Sequence, residues 1–121
     1  YQALLHGGTD QERLWQEDIL MSAKTIRNPE LTDPVFKKAA NRGLGIVISG
    51  DTDRNYRGFG KTNSPLAFGH NGAGGQLCWA DPDTGLSFVY LTSGHDRNPI
   101  RQGRRGVSIS SLAADCKSRK R

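Results

Sequence analysis

The sequence contains no long apolar run, no internal repeat and only two cysteines among its 121 residues. A membrane-spanning helix needs about 20 consecutive apolar residues, so the sequence predicts no membrane association. Cys78 and Cys116 lie far apart and show neither a Cys-x-x-Cys nor a Cys/His ligand spacing. A disulfide framework is therefore not indicated, which favours a reducing compartment, and we expect a cytoplasmic location.

Metal ligation and nucleic-acid binding also lack a recognisable pattern. His6, His70 and His95 have no ligand spacing among themselves or with carboxylates, so we expect neither a metal nor another cofactor. The net charge is +5, from 17 Lys and Arg against 12 Asp and Glu, and much of the excess lies towards the C-terminus. Because no aromatic residue alternates with these basic residues, they indicate a solvated tail rather than a nucleic-acid interface. They are Arg101, Arg104, Arg105, Lys117, Arg119, Lys120 and Arg121.

The most informative part of the chain begins with glycines and continues into two apolar runs. These runs, residues 76–80 and 86–92, are separated by the turn-forming sequence DPDTG. Pro82 fixes φ for the second position of a turn, and Gly85 can adopt the positive φ that closes it. The pattern predicts an antiparallel β-hairpin.

The second run of this hairpin is apolar on both of its faces. Leu86, Phe88 and Tyr90 point one way, and Val89 and Leu91 point the other. A strand with two apolar faces is usually covered on both, so we expect an inner strand of a layered protein. The glycine-rich segment before the hairpin should enter the same sheet from its edge or from an adjacent cleft, since glycines allow close approach to the main chain.

Helices are predicted on both sides of this block. Residues 1–6 and 14–24 form two amphipathic helices, and residues 44–49 form a β-branched strand. Asn98 can cap a final helix over residues 99–116, because Pro99 is tolerated at the first helical position. The buried side of the second helix is predicted to be Trp15, Ile19, Leu20 and Met21, and that of the last helix Ile100, Gly103, Val107, Ser111 and Ala114.

These elements indicate a single α/β (α+β) domain over residues 1–121. An antiparallel sheet with helices packed on it is the simplest layered arrangement that buries their apolar faces.

His70 is the first candidate for chemistry. A neutral imidazole flanked by glycines can hydrogen-bond a substrate or a developing oxyanion. The alternative is a histidine that satisfies local backbone groups in a tight turn. The following Asn71, Gly72 and Ala73 favour the first interpretation, because free N–H groups at a strand edge can form half of an oxyanion hole.

The sequence FGHNGAGG at residues 68–75, followed by WADP at 79–82 and GLSF at 85–88, resembles the serine β-lactamase-related hydrolases. These include class C β-lactamase-like esterases and penicillin-recognising enzymes, in which Lys-Thr-Gly or His-x-Gly lies on the strand lining the active site. His70-Asn71-Gly72 matches the second form. The resemblance implies that the Ala73 N–H is an oxyanion donor, that His70 replaces the family's lysine, and that Asn71, Gly72 and Gly74 contact substrate.

Two motifs of that family are missing from the chain. No serine has lysine three residues later, and no tyrosine has asparagine two residues later, so Ser-x-x-Lys and Tyr-x-Asn are both absent. The chain also opens on Tyr1 rather than Met. We therefore expect the C-terminal portion of a β-lactamase-like fold, inactive without an N-terminal portion or a second chain.

The function implied by the resemblance is acyl transfer by a serine hydrolase, an esterase or a β-lactamase, acting on a small ester or amide. A non-catalytic binding or scaffold protein on the same fold is the alternative. A nucleic-acid-associated module is a third interpretation, and it rests on the basic residues alone.

Overall fold

The structure, a computed structural model, describes residues 1–116 of the chain. The predicted order of elements is confirmed: two helices, one strand, three further strands and a final helix. The bounds are α1 (Gln2–His6), α2 (Glu17–Ala23), β1 (Val47–Ile48), β2 (Phe68–Asn71), β3 (Leu77–Asp81), β4 (Leu86–Tyr90) and α3 (Pro99–Ala114), with 3₁₀ helices at Thr52–Arg57 and Ala73–Gly75. None of the helices within residues 1–116 has the length and apolar character needed to cross a membrane. The basic residues from Lys117 onwards lie outside the described part.

The four strands form one antiparallel sheet in the order β1-β2-β3-β4. The predicted hairpin is confirmed as β3 and β4, with Trp79 opposite Phe88. Gly85 closes the turn with φ of 72°, and its N–H donates to the Asp81 carbonyl oxygen at 2.8 Å. The Asp81 carboxylate is fully buried and accepts from the Ser64 N–H at 2.8 Å and the Ser64 hydroxyl at 2.6 Å, so it ties the hairpin to the segment before β2.

Apolar side chains cover both faces of the sheet. On one face, Phe68 and its neighbours pack against α1, and on the other face Trp79 and its neighbours pack against α3. The α1 face comprises Ile48, Phe68 and Ala80 with Tyr1, Leu4 and Leu5, and the α3 face comprises Val47, Phe59, Ala67, Leu77, Trp79 and Ala114. The chain therefore has the α+β layering that its pattern predicts.

Helix α3 begins where the sequence predicts but buries a different side. The Asn98 side-chain oxygen accepts from the N–H groups of Ile100 and Arg101, which is the predicted cap. The buried residues are Gly106, Ser110 and Ala114. Of the predicted face only Ala114 is buried, whereas Ile100 and Gly103 are exposed. Ser110 fixes this rotation, because its hydroxyl accepts from the indole N–H of buried Trp79 at 3.2 Å.

Two further predictions differ from the structure in extent. The first strand is only Val47–Ile48, and Leu44 is exposed, since the chain turns between Gly43 and Ile46 through a 2.9 Å backbone hydrogen bond. In α2 only Leu20 is buried. Ile19 and Met21 are exposed because α2 makes few contacts with the sheet.

The prediction that β4 is an inner strand is wrong for the described residues. β4 is the last strand of the sheet, and the side chain of Val89 is 57% exposed. Phe88 and Tyr90 do pack on the α3 face, so only one of the two apolar faces is covered.

Candidate active site

A cleft of about 760 Å³ lies between the end of β2, the turn that follows it and the N-terminal half of α3. β1 pairs only with Phe68 and Gly69, so His70 and Asn71 at the end of β2 extend beyond it. The sequence predicted that the glycine-rich segment enters the sheet from an edge or a cleft, and this end of β2 lies at such an edge. The lining includes residues 71–77 and 95–97, the positions Gln102, Gly103 and Gly106 of α3, and the aromatic side chains of Phe36 and Tyr56. The cleft therefore combines free strand edge, glycine-rich backbone and an apolar wall.

Four of the five predicted site residues line this cleft: Asn71, Gly72, Ala73 and Gly74. The Gly72 N–H donates to the Gln76 carbonyl oxygen at 2.7 Å, which closes the turn between β2 and β3. Ala73 is exposed, and within residues 1–116 its N–H donates to no other group. This N–H is consequently available to an acceptor placed in the cleft.

His70 does not line the cleft, because side chains alternate along a strand. It shares the α1 face with Phe68, whereas Asn71 shares the α3 face with Leu77. The His70 ring is exposed at the end of β2, where its Nδ1 lies 2.5 Å from the Asn71 carbonyl oxygen and its Nε2 lies 3.2 Å from an Arg42 guanidinium nitrogen. A carbonyl only accepts and a guanidinium only donates, so these contacts fit a neutral imidazole with its hydrogen on Nδ1.

A thiol and a phenol lie beside His70 on the same face of the sheet. Cys78 is opposite His70 in the register, and its thiol lies 3.6 Å from the His70 carbonyl oxygen. Burial raises the pKa of the Tyr1 hydroxyl, and the neighbouring Cys78 raises it further. Because its pKa is raised, Tyr1 is a protonated, packed side chain and not a base at neutral pH. Both Cys78 and Cys116 are free thiols.

The structure adds one residue that sequence analysis missed, Gln102. With its amide oriented so that the oxygen faces the available donors, Gln102 accepts from the Gly74 N–H at 3.0 Å and from the Gly75 N–H. No local sequence signal identifies this contact, because it joins α3 to a turn that lies far away along the chain.

Asp96 anchors the segment that leads into α3. Its carboxylate accepts from Arg101 at 2.9 and 3.0 Å and from Arg105 at 3.2 Å. The Arg101 hydrogen bonds, followed by the Asn98 N–H, hold the pKa of Asp96 well below its usual range. The Asp96 N–H also donates to the Gly74 carbonyl oxygen at 3.3 Å, so this charged cluster is connected to the turn that carries Ala73.

An aromatic pair forms another wall of the cleft. The rings of Phe36 and Tyr56 lie 5.6 Å apart at 48°, and both side chains are about half exposed. Phe36 is presented by a tight turn in which the Asp33 carboxylate accepts from the Val35 and Phe36 N–H groups. Neither residue lies in a segment with a periodic apolar pattern, so the sequence predicts no role for them.

The fold and cleft define an α+β domain whose antiparallel sheet presents a free strand edge beside a terminal helix. The β-lactamase family model matches residues 4–111, and the chain belongs to that family. It is a serine β-lactamase-like protein with a mixed helix and sheet fold, as its motifs indicated.

A solved structure gives a similar result for the fold. A crystal structure of a β-lactamase from Mycobacterium bovis matches with a TM-score of 0.71 at 24% sequence identity. The match covers 91% of this chain and 39% of that one, so the chain spans about two fifths of the length of its structural neighbour. No curated protein sequence matches the chain.

Proposed function

We propose that the chain supplies one wall of the active site of a serine hydrolase that acts by an acyl-enzyme mechanism on small esters or amides. In this proposal a serine from a Ser-x-x-Lys segment outside the chain attacks the substrate carbonyl. The Ala73 N–H then stabilises the negative charge that develops on the carbonyl oxygen. The observation that carries the proposal is an exposed N–H in a cleft of a β-lactamase family fold that has no acceptor among residues 1–116.

The proposed contribution of Ala73 is electrostatic. A backbone N–H that is already fixed in place gains most of its hydrogen-bond energy when the oxygen becomes an anion. Removal of one such donor typically costs a factor of about 10²–10³ in kcat. The donor alone gives no turnover, since the chain has neither Ser-x-x-Lys nor Tyr-x-Asn.

His70 and the aromatic pair have separate proposed roles. His70 lies at the exposed end of β2, where it would meet the segment that carries the serine and assist proton transfer through Nε2 once the exposed Arg42 guanidinium, 3.2 Å away, moves aside. Phe36 and Tyr56 would contact an apolar acyl or leaving group, because their exposed rings face the same cleft as Ala73. An esterase is favoured by the His-x-Gly form of the motif.

The experiment compares the chain alone with the chain joined to, or co-expressed with, the polypeptide that supplies Ser-x-x-Lys. A fluorophosphonate probe labels activated serines. We expect no labelling of the chain alone and labelling of the complex, accompanied by hydrolysis of a p-nitrophenyl ester. Labelling of a residue in the isolated chain would contradict the proposal, and an unlabelled complex would favour the alternative of a non-catalytic binding protein.

Proline at position 73 tests the donor directly. Ala73→Pro removes the N–H, and Gly72 already has the extended conformation that a residue before proline prefers, with φ −107° and ψ 163°. We expect kcat of the complex to fall about 10²–10³-fold. Ala73→Gly keeps the N–H and is the matched control. Equal activity of the proline and glycine variants would remove Ala73 from the mechanism.

A further inference from the structure

The turn between β2 and β3 is held at several points, although it carries three glycines. Gly72 is bonded to Gln76 at one end, and the Asp96 N–H is bonded to the Gly74 carbonyl oxygen. The Gln76 side chain is itself fixed to Thr92, accepting from its N–H at 2.6 Å and donating to its hydroxyl at 2.8 Å. In the middle of this framework, the Ala73 N–H has no acceptor within the described part of the chain.

The N–H groups of Gly74 and Gly75 are the remaining donors of the turn. Both residues are buried and adopt positive φ, 81° and 101°. Successive N–H groups in such a conformation form a concave site that attracts anionic or carbonyl oxygens. The Gln102 side-chain amide faces these two donors, and with the amide orientation that they require its oxygen occupies that site. A buried N–H left without a partner would cost free energy, so this contact has a definite structural role.

We propose that Gln102 is a positioning residue for the hydrolase active site. By holding the N–H groups of Gly74 and Gly75, its side-chain oxygen fixes the orientation of the adjacent Ala73 N–H. It also prevents a substrate oxygen from binding at the two glycine donors in place of Ala73. The inference rests on the proposed function of Ala73 and adds to it a residue from α3 that acts through the turn.

The two glycines let neighbouring side chains pack closely against the turn. A methyl group added at Gly75 would lie 2.7 Å from an Arg105 nitrogen and 3.1 Å from the Gln102 side chain, so α3 packs directly on this part of the turn. A methyl group at Gly74 would lie 2.8 Å from the His95 ring. The close approach of these side chains explains why the turn needs glycine at both positions and why α3 can supply its acceptor.

The test uses two substitutions of similar size. Gln102→Met removes the acceptor, and Gln102→Glu keeps an oxygen at the same place. Amide hydrogen exchange of the full chain is followed by NMR, with Ser108→Ala, an exposed position on α3, as the control. We expect exchange at Gly74 and Gly75 to accelerate at least tenfold in Gln102→Met and to remain slow in Gln102→Glu and in the control.

The second measurement is made on the complex that carries the serine. We expect Gln102→Met to lower kcat about tenfold with a change in KM of less than twofold, because an oxyanion donor acts mainly in the transition state. Unchanged glycine exchange in Gln102→Met, or acceleration equal to that in Gln102→Glu, would overturn the inference while leaving hydrolase activity intact. A wild-type complex without activity would instead overturn the proposed function.

Discussion

Gly103 and Gly106 of α3 offer a matched test of which helix face packs on the sheet. Both are interior helical positions, where Ala is more favourable than Gly by about 1 kcal/mol. A methyl group at Gly103 would meet no atom within 4 Å, whereas at Gly106 it would lie 3.1 Å from a methyl carbon of Leu77. We therefore expect Gly103→Ala to stabilise the fold by about 1 kcal/mol.

The second substitution should behave differently because the added carbon must displace a packed side chain. Overpacking of a core typically costs about 1–3 kcal/mol, so Gly106→Ala should range from neutral to about 2 kcal/mol destabilising after the helix gain of about 1 kcal/mol is subtracted. Urea unfolding, followed by helical circular dichroism and by the fluorescence of buried Trp79, measures the stability of both variants. A gain of 1 kcal/mol corresponds to a midpoint shift of about 0.3–1 M urea. Equal stabilisation by the two substitutions would refute the helix rotation described above.

Three other substitutions test the framework of the site. Asp81→Ala should destabilise the chain by about 2–4 kcal/mol in urea unfolding, because it leaves the Ser64 N–H and hydroxyl without their acceptor; wild-type stability in that variant would contradict the role of the buried carboxylate. The Arg57 hydrogen bond lowers the pKa of Asp51. The stability that ionised Asp51 contributes is therefore present above its unfolded pKa of about 4 and is lost as the pH falls through its lower folded pKa. Asp51→Asn should flatten the stability–pH curve below about pH 4, and an unchanged slope would show that the ion pair does not contribute. Gly69→Ala should prevent cooperative unfolding, since the added carbon would overlap the Cys78 carbonyl oxygen of β3; a normal thermal transition would contradict that close approach.

The local signals in the sequence were sufficient for the hairpin and for the start of α3. The DPDTG turn and the Asn98-Pro99 cap are each made by neighbouring residues, so their geometry follows from local conformational preferences. The glycine-rich motif was also sufficient for the family, which a match over residues 4–111 shows. The candidate site residues at 71–74 come together because they are consecutive in the chain.

Other features depend on residues that meet only after folding. The hydrogen bond between Ser110 and Trp79 fixes the rotation of α3. The sequence did not predict this rotation, because the small residues of α3 are spread around the circumference of the helix. The position of His70 on the face opposite Asn71 follows from which side of β2 packs against α1. In the same way, the apolar pattern of β4 did not reveal that it ends the described sheet.

The sequence by itself determined the turns, the caps, the order of elements and the motif that marks the family, because each is specified by residues within a few positions of one another. The tertiary structure alone decided which helix face is buried, where the cleft opens and that Gln102 reaches the glycine turn. Those properties depend on hydrogen bonds and close contacts between distant segments, which local conformational preference does not encode.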